Sequence, residues 1–78
     1  MLTKETCRAA RVGLGWSRGE LAKEAGLGER TIIDFERGAR EPHANNKEAI
    51  KAALQRGGVR FTDDGCICLP ASNRGGED

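Results

Sequence analysis

Seventy-eight residues, 37% hydrophobic and 32% charged, describe one small globular domain, too short to enclose a sizeable enzyme cleft within its own core. No apolar run approaches the roughly 18 residues that cross a bilayer, and the opening "MLTKETCRAAR" lacks a signal peptide's apolar block, so a cytoplasmic location without membrane contact is expected. The net charge is only +1, but it is uneven: residues 1–57 hold eleven basic against eight acidic side chains, residues 58–78 two against four, a mildly basic body compatible with phosphate contact from one face.

The first 57 residues read as short helices separated by glycine. Thr3 is placed to cap a helix from about residue 4 to 12, with Cys7, Ala10 and Leu14 on one face and "GLG" at 13–15 as its stop. Ser17 then caps a second helix, and Glu20 three residues later completes a capping box. Trp16 and Leu21 flank that cap at the spacing of a hydrophobic staple. The second helix should end near Ala25, with Leu21, Ala22 and Ala25 inward and Gly26 in a left-handed turn. A third helix is predicted over 29–37, with Ile32 and Phe35 as its buried pair and Gly38 as its stop. Pro42 discourages helix at Glu41, and Asn45 with Glu48 offers a cap pair for a fourth helix ending near Arg56, with Ile50, Ala53 and Leu54 inward.

From Val59 the period changes. "VRF" and "CICL" flank the turn-forming "TDDG", the signal of a two-stranded hairpin, with Val59 and Phe61 on one face and Cys66 and Cys68 on another. Two strands alone are marginally stable, so the hairpin should pack on the helices or on a second subunit. The expected organisation is a helical domain at 1–57, a hairpin extension at 58–70 that serves the dimer contact, and a loose polar tail at 71–78. Three cysteines, an odd number, argue against a secreted disulfide framework. The C-x-C at 66–68 has no second ligand pair at zinc spacing, so structural thiols are expected ahead of redox sensing, with no metal and no cofactor.

Residues 16–38, WSRGELAKEAGLGERTIIDFERG, resemble the lambda-repressor-type (XRE/Cro/CI-like) helix-turn-helix family of transcriptional regulators through W-S-x-x-E-L-A, the A-G-L turn, T-I-x-x-F-E-x-G and the later Pro42. The resemblance covers residues 3–56. It implies a mainly α fold, a four- to five-helix lambda-repressor-like DNA-binding domain, here with a C-terminal β-hairpin or strand. In that motif the second helix of the pair enters the major groove while the first crosses the backbone. By similarity, Glu29, Arg30, Ile33 and Asp34 face the bases, with Arg30 suited to bond guanine O6 and N7 together and the two acids suited to cytosine N4. The same residues also read as an ordinary helix surface, with Arg30 paired to Asp34 four residues on. Phosphate contacts are assigned to Arg18, Gly28, Arg37, Arg40 and Lys47; Arg18 stands where the family typically has glutamine, and Gly28 where it usually has Ser or Thr. Glu36 is expected to pair with Arg11 of the first helix as a structural ion pair.

The function implied is sequence-specific DNA binding by a homodimer at an inverted-repeat operator, with small controller-type regulators and repressors of mobile elements as the nearest company. The dimer contact is expected to use the fourth helix and the 59–69 hairpin, because those segments have no other assigned task. RNA polymerase or another regulatory protein is the further expected partner, and at this length regulation would run through concentration, cooperative binding or such a partner. The competing reading is an antitoxin- or antiactivator-type interaction module with secondary DNA binding, which the near-neutral charge favours slightly. An enzyme has no support, since the sequence shows no nucleophile–base pair, metal cluster or phosphate-binding glycine loop.

Overall fold

Two of the four helices start at a side-chain acceptor, one just past a proline, and one at a glycine without a side-chain cap. In the computed structural model, which describes residues 2–63 and 66–69, these elements are α1 (Lys4–Leu14), α2 (Arg18–Ala25), α3 (Glu29–Arg37), α4 (Ala44–Arg56), β1 (Arg60–Phe61) and β2 (Ile67–Cys68). Thr3 accepts the Thr6 N–H at 3.1 Å and its own N–H reaches Thr6 Oγ1 at 2.9 Å, a capping box at the head of α1. Ser17 and Glu20 make the same reciprocal pair at α2, with bonds of 3.0 and 2.6 Å. Gly26 ends α2 at φ 73° and Gly38 ends α3 at φ 77°, left-handed caps that a side chain would strain.

Two boundaries differ from the sequence expectation. Helix α1 runs through Gly13 to Leu14 and stops only at Gly15, which, unlike Gly13, takes the left-handed cap conformation (φ 77°); Leu69 carbons lie 2.5 and 2.7 Å from where a Gly13 Cβ would project. Asn45 and Glu48 do not cap α4. The helix begins two residues earlier, at Ala44, with His43 as an N-cap that makes no side-chain cap bond. Pro42 fixes the chain just before it, so the helix propagates as soon as the ring is passed, with Lys47 N–H donating to His43 O at 2.9 Å.

The core is where the four helices converge, with α2 packed on both α3 and α4, and α1 on α3 and α4. Phe35, Leu21, Ile32, Ile50 and Leu54 are its largest buried side chains. Arg56 at the end of α4 donates to Glu24 O at the end of α2, a cation on the negative end of a helix dipole. The hairpin pairs antiparallel, Arg60 opposite Cys68 and Phe61 opposite Ile67. Val59 is buried, and Phe61 and Ile67 pack against the helical core. Cys66 and Cys68 lie on the outer side, exposed. The turn residues at 64 and 65 and the tail expected at 71–78 lie outside the described residues.

Cys7 differs from the other two thiols. It is fully buried in α1, with Sγ 3.6 Å from Glu36 Oε2. Burial first, and the Glu36 charge second, push its thiol from the ordinary 9.0 up to about 12. A raised thiol favours the protonated form in the folded state, so this contribution to stability is complete below pH 9 and is lost as the pH climbs from 9 toward 12. Iodoacetamide at pH 8, read by intact mass, should therefore modify the exposed pair rapidly and Cys7 at least about 100-fold more slowly, with Cys7 catching up once urea unfolds the chain. Three thiols reacting at one rate in the native protein would contradict this packing.

Candidate nucleic-acid interface

The α2–turn–α3 unit is held at both ends of its short connection. Leu27 N–H donates to Ala22 O at 2.8 Å across the turn, and Ile32 and Phe35 root α3 in the core. Rooting those two positions leaves the opposite edge of α3 outside. Arg30 lies on that edge with its side chain 77% accessible and Nε 3.7 Å from Asp34 Oδ1. Ile33 and Asp34 are half-buried. Glu29, also exposed, leans toward the start of α2, its carboxylate about an ordinary contact distance (3.7–3.8 Å) from where a Gly19 Cβ would sit. Among the described residues Glu29 has no ion-pair partner.

Gly28 precedes α3 in extended backbone, and no atom lies within 4 Å of where its Cβ would be. No side chain caps α3, so the first N–H groups of this helix face an open approach. Arg18, the first residue of α2, is half-exposed and its Nε lies 3.4 Å from Glu36 Oε1. Arg37 and Arg40 are exposed and form no ion pair among the described residues. Lys47 is ion-paired to Glu41, and it lines the side of the molecule near Leu2 and Ala39, whereas Arg40 also borders Arg30.

Glu36 is withdrawn from the α3 edge. Arg11, 8% exposed, grips it from α1 through Nε at 2.8 Å and Nη2 at 3.0 Å, while Arg11 Nη1 donates to Trp16 O at 2.8 Å. The Glu36 side chain is 2% accessible, and Arg18 and the Cys7 thiol complete its surroundings. The hydrogen bonds that Arg11 donates to Glu36 hold the guanidinium protonated, raising it above its already high ordinary value.

A groove of about 190 Å³ joins α3 to the start of α4, with Arg30, Thr31, Asp34, Arg40, His43 and Asn46 in its lining along with the Glu41–Pro42 segment. Thr31, His43 and Asn46 were not singled out from the sequence. Thr31 follows Arg30 on α3 itself, whereas His43 and Asn46 reach the groove from the start of α4, which no local pattern marks. The charged edge, the groove and the open helix start form one continuous polar surface on α3, backed by an apolar anchor. The helix-turn-helix family model matches residues 8–56, the greater part of α1 through all of α4. No curated protein matches the chain.

Proposed function

The chain belongs to the lambda-repressor-type helix-turn-helix family of DNA-binding regulators, and we propose that it recognises a specific operator by laying the N-terminal half of α3 in the major groove. The observation that carries this reading is the division of α3. Ile32 and Phe35 are buried, Glu36 is held inward by Arg11, and Arg30 is left reaching into solvent. Arg30 reads guanine in this account, and Asp34, 3.7 Å from it, orients the guanidinium. Glu29 and Ile33 sense neighbouring bases, the first as an acceptor for an amino group and the second against a thymine methyl.

Attraction comes from other residues. Arg37 and Arg40 meet phosphates, the open start of α3 at Gly28 lets backbone approach, and Arg18 and Lys47 assist from positions already shared with Glu36 and Glu41. Because so many cations are internally paired, non-specific affinity should be moderate and dependence on the right bases high. The protein acts as a homodimer on an inverted repeat, since one such domain offers a small interface and pairing two is the usual route to useful affinity. Repression by blocking polymerase and activation by touching it both fit this surface.

Salt dependence tests the division of labour. Replacing Arg40 by Ala should weaken binding to all duplexes alike and lower the slope of log affinity against log salt by roughly one per protomer, read by fluorescence anisotropy between 50 and 200 mM salt. The assignment fails if Arg40→Ala leaves both affinity and slope at the native values, or if native binding shows no salt dependence.

A further inference from the structure

We infer that the outer face of α1, continued by Leu69, is the surface on which a second copy of this chain docks. The inference rests on the dimer reading above and gives that dimer its contact. Sequence reasoning assigned the contact to α4 and the 59–69 hairpin. In the structure the apolar residues of α4 (Ile50, Ala53, Leu54) and of the hairpin strands (Phe61, Ile67) pack in or against the core. The α4 residues are fully covered, and Phe61 and Ile67 are partly covered. Leu69, at the hairpin's end, is exposed.

Among the described residues the exposed large hydrophobics are Val12, 57% accessible, and Leu69, 47%. They are neighbours in space, because Leu69 lies directly over Gly13, the residue after Val12. Beside them α1 carries a shallow, mostly apolar groove of about 510 Å³, lined by Glu5, Arg8, Ala9, Val12 and Gly13. An apolar strip rimmed by charge is the pattern of an interaction site rather than of ordinary surface.

The charges on that strip select the occupant. Glu5 and Arg8 stand one helical step apart with opposite signs, and neither joins an ion pair among the described residues. A strip holding one acid and one base with no partner is complementary to an inverted copy of itself. When two antiparallel copies of α1 cross near Arg8 and Ala9, the rise of about 1.5 Å per residue places Val12 of one copy at the level of Glu5 of the other. Val12 then packs on the methylene stem of Glu5, and the Glu5 carboxylate reaches toward Arg8 across the two-fold. The small Ala9 side chain at the crossing lets the helices approach closely. Opposed charges and apolar flanks are matched by the same operation.

A face built on one 11-residue helix and one leucine is small beside standard interfaces, so self-association should be weak alone and strengthened when an operator holds two copies together. Sedimentation velocity over a concentration series, with and without operator, and thermal melts alongside, read the outcome. Val12→Glu and Ala9→Arg, both at exposed helix positions, should each weaken self-association at least tenfold while leaving the melting temperature near native. Glu5→Arg should weaken it too, and adding Arg8→Glu to that variant should restore it. Undiminished self-association in both Val12→Glu and Ala9→Arg overturns the assignment of this face and leaves the dimer reading standing. A native chain that is monomeric at every concentration, even on its operator, overturns both.

Discussion

Replacing Glu36 by Ala is expected to lower the stability of the fold by about 3–5 kcal/mol, the cost of breaking a buried ion pair from one side. The size follows from what is left behind. Arg11 would keep its bond to Trp16 O but lose both contacts to the carboxylate, in a place where only 8% of the residue reaches solvent. A guanidinium does not give up its proton to escape this, because its ordinary value is already very high even without the raise that Glu36 supplies. Arg18 would lose its partner as well, but it is half-exposed and can return to water at little cost. For a chain of this size the loss corresponds to a fall in melting temperature of at least roughly 12 °C. Urea melts, in preference to guanidinium chloride, measure it without adding salt. Replacing both partners together, Arg11→Met with Glu36→Leu, should cost less than Glu36→Ala alone, since no buried charge is then uncompensated. A Glu36→Ala melt within two or three degrees of native would show that the pair holds nothing in place.

The second large effect is on recognition, and it should leave the fold untouched. Arg30 is 77% exposed and its ion pair with Asp34 is an ordinary exposed helix pair, worth roughly 0.3–0.5 kcal/mol. Arg30→Ala should accordingly change the melting temperature by only a few degrees. In the operator complex the same side chain is assigned two parallel bonds to one guanine, worth about 1–3 kcal/mol of discrimination. Affinity for the operator should therefore drop roughly 5- to 150-fold, and the preference should relax at a single base position in each half-site. The contrast between a near-silent melt and a large binding defect separates a reading residue from a surface residue that merely steadies its helix.

Much of the fold is written in short-range signals. Ser17 with Glu20, and Gly26 and Gly38 at their left-handed caps, are local devices, and the ends of α2 and α3 fall where those residues place them. The inward positions of α3 and α4 follow from helical period in the same way. What local pattern does not carry is contact between distant segments. Leu69 lies over Gly13, a contact that no signal near either residue announces. Pro42, read as a breaker, also sets where α4 starts, and so bypasses the Asn45 cap.

The site divides along the same line. That α3 shows Arg30 and hides Ile32 and Phe35 follows from spacing. The partner of Glu36 came from family resemblance, since nothing in the intervening 24 residues points from Glu36 back to Arg11. The third contact, from Arg18, was invisible to both, because it depends on how α2 crosses α3. The same holds for Glu29 leaning on Gly19 and for His43 and Asn46 beside Arg30.

The central claim is that α3 reads bases through Arg30. Its most direct test is a competition titration at fixed salt, after selecting the preferred duplex from random DNA, of native protein and Arg30→Ala against that duplex and each of its single-base variants. The account predicts a selected site with inverted half-sites, a native penalty of about 1–3 kcal/mol at each critical base pair, and in Arg30→Ala the loss of that penalty at one guanine per half-site with the others intact. Contradiction would be a selection that enriches no sequence, or an Arg30→Ala protein whose penalties match the native ones at every position.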